Sequence, residues 1–99
     1  MICGTTPTHI FEIPFDTAIV KEALVVYVQG GSEIVRKETD DCSMEGKQIG
    51  VELTQEETLS FNPNMNVEIQ IRVLTTEGVA YASRPCVVSV VKCLTDEVI

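Results

Sequence analysis

Between Val67 and Val73 the chain alternates without a break. Val67, Ile69, Ile71 and Val73 fall on one face, and Glu68, Gln70 and Arg72 fall on the other. A period of two with β-branched residues on the apolar face is the pattern of a half-buried strand. Such a strand needs neighbours on both edges and a layer against its apolar side. The rest of the chain must therefore supply further strands.

The candidates are frequent and short. Thr8 to Phe15 places Phe11, Ile13 and Phe15 on one face, with His9 at its start, and Pro14 confines this strand to an edge or ends it. Asp16 or Thr17 can cap a single helical turn after it. Glu22 to Gln29 is apolar on both sides, with Leu24, Val26 and Val28 alternating against Val25 and Tyr27. A strand of this kind is central or is covered by a partner. Gly30-Gly31 then predicts a tight hairpin. Its return strand, Ser32 to Thr39, is polar enough for an edge. Asp40 to Ser43 is predicted as a loop, and Glu45-Gly46 as a turn into the strand Lys47 to Thr54.

Thr54-Gln55-Glu56-Glu57 has the spacing of a capping box, which predicts one helical turn over Gln55 to Leu59. Leu59 and Phe61 are expected to plug the end of the fold. After Thr75, a three-residue loop with Gly78 at positive φ predicts a bulged hairpin. That register sets Val73 opposite Tyr81 and gives Tyr81 the buried face. Cys86 to Cys93 is read as the last strand.

About seven short strands with regularly spaced turn signals predict an immunoglobulin-like antiparallel β-sandwich over residues 1–99, a single domain. The runner-up is a small closed β-barrel. The Cys–Trp–Cys core of antibody domains is absent, since the chain has no Trp.

Charge and cysteine usage narrow the function classes. Fifteen acidic against seven basic residues leave a net charge of −8. This disfavours nucleic acid and anionic membranes as partners. The start Met1 to Pro7 has no basic segment and no apolar run, so no signal peptide is expected, and the setting is taken as a reducing cytoplasm. Cys3, Cys42, Cys86 and Cys93 contain no C-x-x-C pair and are expected as free thiols. His9 is the lone histidine, and no nucleophile motif surrounds any cysteine. Asp40, Asp41 and Glu45 lack the spacing of a calcium loop. No catalytic residue, metal or cofactor is assigned, and an enzyme is not expected. The expected interaction surface is Val25 and Tyr27, which find no obvious cover within one chain, together with Tyr81.

Gly4-Thr5-Thr6-Pro7-Thr8-His9, Lys37-Glu38-Thr39-Asp40-Asp41-Cys42, Leu53 to Leu59, Ile69 to Thr76 and Lys92 to Ile99, taken in this order, resemble a family of small uncharacterised proteins. These are encoded by phages and prophages of Gram-positive, largely gut-dwelling bacteria. The resemblance runs along the whole chain and offers no catalytic residues to carry over. It implies a non-enzymatic structural or assembly role through protein contacts, either as a homo-oligomer or with other virion proteins. It also implies a location in the host cytoplasm during assembly or in the virion. Two other readings remain: a host-surface carbohydrate-binding module using Tyr27 and Tyr81 as platforms, and a small thiol enzyme.

Overall fold

A computed structural model describes residues 1–99. Eight strands form two antiparallel sheets. The smaller sheet joins β1 (Thr8–Glu12), β5 (Gln48–Glu52) and β4 (Cys42–Glu45), in that order. The larger sheet runs β3 (Ser32–Glu38), β2 (Val20–Gln29), β6 (Val67–Thr75) and β7 (Ala80–Ala82), with β8 (Cys86–Val88) also on β6. Helix α1 (Gln55–Leu59) bridges the sheets between β5 and β6.

This strand order is the immunoglobulin-like Greek key. Pairs β2–β3, β4–β5 and β6–β7 are hairpins, while β1–β5 and β2–β6 are made by chain returning across the sandwich. β7 and β8 are one edge strand with a break. Val73 faces Tyr81 and Ile69 faces Cys86, so the register slips by one residue across Ser83-Arg84-Pro85. Pro85 cannot donate to a ladder, and the break falls beside it.

The local signals explain most boundaries. Gly30 and Gly31 take φ of 55° and 80°, which closes the β2–β3 hairpin in the geometry side chains resist. Gly78 (φ 85°) donates to Thr75 O at 3.0 Å, and Thr75 N donates to Val79 O at 2.9 Å, so the bulged turn sets the β6–β7 register as its sequence predicts. Thr54 Oγ1 accepts from Glu57 N at 3.1 Å while a Glu57 carboxylate oxygen accepts from Thr54 N at 2.8 Å, completing the capping box. Asp16 caps the short 3-10 turn Thr17–Ile19 by accepting from Ala18 N.

Two expectations fail. Cys42–Glu45 is a strand and not loop, because it pairs with β5 through Met44 opposite Ile49. The last strand ends at Val88 and not Cys93. Beyond Val67, β6 has no further residue to offer, so Val91 forms a parallel bridge with Ile2 instead.

The core lies between the sheets. Ile49, Val51 and Leu53 from one side meet Val25, Tyr27, Val67, Ile69, Ile71 and Val73 from the other, and all are buried. Phe61 plugs the end next to α1. Gln29 is buried too, and its amide holds the 62–65 loop through Asn62 N, Asn62 O and Met65 O. The Cα envelope measures 46 × 27 × 16 Å. Two sheets about 10 Å apart take up that thin dimension, which leaves no room for a third layer. The radius of gyration of 14.1 Å exceeds the roughly 12.6 Å expected for a compact chain of this length. The molecule is a flat, elongated slab.

Candidate interaction surface

The two faces of β2 meet different surroundings. Val25 stands opposite Ile71 and Tyr27 opposite Ile69, both on the buried side of β6. Val25 and Tyr27 are consequently 0% exposed. They are not the interaction surface the sequence suggested; the pairing with β6 turns them inward. Tyr81 is half-buried, with its ring set edge-on to Phe15 at 5.9 Å. The three residues are therefore not brought together as an exposed patch.

The row left outside is Leu24, Val26 and Val28. Across β6 their partners are Arg72, Gln70 and Glu68; across β3 they are Glu38, Arg36 and Glu33. Leu74 and Ala80 extend the apolar strip toward the hairpin end. Leu24, Val26, Val28 and Leu74 are half-buried. A groove of about 440 Å³ opens at that end, with Leu24, Leu74 and Ala80 in its lining and Arg36 and Arg72 on its sides. Arg36 is already engaged by Glu33 at 3.3 Å and Glu38 at 3.1 Å. Arg72 has no ion-pair partner.

The interior holds a separate polar cluster. His9 Nδ1 and the Tyr27 hydroxyl are 2.7 Å apart and hydrogen-bonded. Burial pushes the Tyr27 phenol up, with Glu57 and Cys42 adding to it, and burial pulls the His9 imidazole below its ordinary value. The pair is therefore a neutral phenol against a neutral ring. Beside it Lys37 reaches Glu57 at 2.8 Å, tying edge strand β3 to α1. Burial raises the Glu57 carboxyl, but hydrogen bonds from Lys37 and Thr54 outweigh it and leave it below the ordinary glutamate range. No buried side-chain nitrogen or oxygen lacks a partner. The cluster closes the polar accounts of one end of the core.

The four cysteines are free. Burial pushes the Cys3 thiol up, with Cys93 and Asp96 adding to it, and burial with Asp41 does the same at Cys42. These shifts run opposite to those of an activated thiolate. His9 hydrogen-bonds to Tyr27 and to no cysteine. Asp41 turns back to accept from Glu38 N at 3.0 Å, and no group of three or more His, Cys, Asp or Glu is placed to hold a metal ion. No helix is long and apolar enough to cross a membrane. Compared with protein-family models, with curated proteins and with solved structures, the chain matches none.

The signal for the outer row was present in the sequence. Val67, Ile69, Ile71 and Val73 were legible as a buried face, and whichever β2 row pairs with them must go inward. The register of β2 on β6 carries no local mark, so the choice between the two rows was open.

Proposed function

We propose that this protein is a non-enzymatic phage or prophage structural or assembly protein that acts by contact with other copies of itself. The observation that carries the reading is the uncovered outer face of the larger sheet. Its apolar strip, Leu24, Val26, Val28 and Leu74, runs through a frame of charged residues of both signs. Apolar strips rimmed by charge are the usual make-up of protein contact surfaces. The resemblance to phage-encoded proteins supports the setting. A net charge of −8 opposes non-specific clustering, which leaves local complementarity to select the partner.

The carbohydrate-binding reading needs exposed aromatic platforms. Tyr27 is sealed in the core and Tyr81 is occupied by Phe15, so nothing in the structure favours it.

Sedimentation velocity over a concentration series, with immunodetection in purified particles, tests the proposal. Species that are multiples of 10.9 kDa, together with presence in the particles, are expected. A monomer at every concentration that is also missing from particles overturns it.

A further inference from the structure

Outside the groove, the last residues of the sheet-flanking chain carry a second exposed apolar feature. Residues 94–99, Leu-Thr-Asp-Glu-Val-Ile, are acidic at the centre and apolar at both ends. Leu94 is 102% exposed and Ile99 98% exposed. Val98 is exposed as well. Here the backbone is held and the side chains are left out. The Gln55 side-chain amide donates to Ile99 O and accepts from Ile99 N, each at 2.8 Å, and Glu97 N donates to Thr95 Oγ1 at 3.2 Å. A segment fixed this way loses little conformational freedom on docking.

The groove has the matching chemistry. Leu24, Leu74 and Ala80 supply apolar lining, and Arg72 supplies a cation without a partner. Glu38, also in its lining, is taken up by Arg36, and Glu22 is the one acidic lining residue outside an ion pair. In this conformation the segment does not fill its own chain's groove, since Gln55 holds its end on α1. The segment follows β8, whose Val88 pairs with Val67, whereas the groove surrounds Leu74, which pairs with Ala80.

We propose that residues 94–99 of one copy seat in the Arg72–Leu74 groove of the next. Asp96 and Glu97 then face Arg72, and Leu94, Val98 and Ile99 cover the apolar strip. This rests on the self-association reading above and names the segment that does the docking. The segment and the groove are different surfaces, so the contact is heterologous and propagates into rings or filaments.

Charge reversal tests it. Arg72→Glu destroys the groove's cation and leaves the segment intact; Asp96→Lys with Glu97→Lys does the reverse. Both changes fall on exposed positions, and circular dichroism and thermal melts check that each variant folds. In sedimentation velocity each variant alone is expected to self-associate at least tenfold more weakly than wild type. Mixed together, they should regain growing assemblies in which the two variants alternate, since the acidic segment then meets the Arg72 groove and the basic segment meets the reversed groove. The chain carrying all three changes should regain self-association. Segment variants that associate like wild type, while Val26→Glu abolishes association, would overturn the segment's role and leave the sheet-face reading standing. So would loss of association in both variants without complementation on mixing, which marks a symmetric sheet-to-sheet contact. A wild-type monomer at all concentrations would overturn both.

Discussion

Strand β2 carries two apolar rows that differ only in direction. One row, Val25 and Tyr27, disappears between the sheets; the other, Leu24, Val26 and Val28, meets water among arginines and glutamates. Residue type does not separate them, since an aromatic is inside and valines stand on both sides. What separates them is the neighbour. Register with β6 sets Tyr27 beside Ile69 and within reach of His9, which takes the one polar atom a buried tyrosine cannot leave unpaired. The outer row has no such closure within one chain. The outside of the smaller sheet shows what a face meant only for water looks like. There Thr8, Glu12, Gln48, Gly50 and Glu52 surround a single large apolar residue, Ile10.

The largest expected effect breaks the inner row. Tyr27→Ala should cost about 3–5 kcal/mol in urea unfolding, as large-to-small aromatic changes in cores do. Val26→Ala should cost about 0.8 kcal/mol, two methyl-sized groups lost at half burial. Equal costs at the two positions would remove the distinction between the rows.

The second effect is on the outer row and on association. Val26→Glu should keep the fold and weaken self-association at least tenfold, or about 1.4 kcal/mol. Ile10→Glu on the smaller sheet should change neither property, which sedimentation and thermal melts would check together.

A smaller effect concerns the polar atom inside. Tyr27→Phe removes the partner of His9 Nδ1 and should cost about 1 kcal/mol, with association unchanged.

The smallest is a pH dependence. The His9 proton affinity is depressed in the fold relative to its ordinary 6.5, so the unfolded chain takes up the proton first. Its stabilising contribution is full above about pH 6.5 and is lost as pH falls toward the folded value. Glu57 behaves the same way lower down: its contribution is present above its ordinary 4.5 and is lost as pH falls through the folded value. Denaturation midpoints should thus decline in two steps on acidification, and His9→Gln should flatten the first.

The architecture was largely legible in the sequence because its determinants are local. The alternation of Val67 to Val73, the paired glycines at 30 and 31, the Thr54–Glu57 capping box and Gly78 each act within a few residues. What was hidden depends on partners distant in sequence. Cys42 to Glu45 has little strand propensity and becomes β4 only by pairing with β5. Val90 and Val91 have strand-like composition but run past the end of β6. Which row of β2 is exposed has no local mark, because a one-residue shift in register on β6 would exchange the two.

The most direct measurement is sedimentation velocity of wild type beside Val26→Glu over the same concentration range. Wild type is expected to populate species above 10.9 kDa as concentration rises, and Val26→Glu to remain at 10.9 kDa with an unchanged melting temperature. Matching profiles for the two proteins would contradict a role for the outer face in self-association.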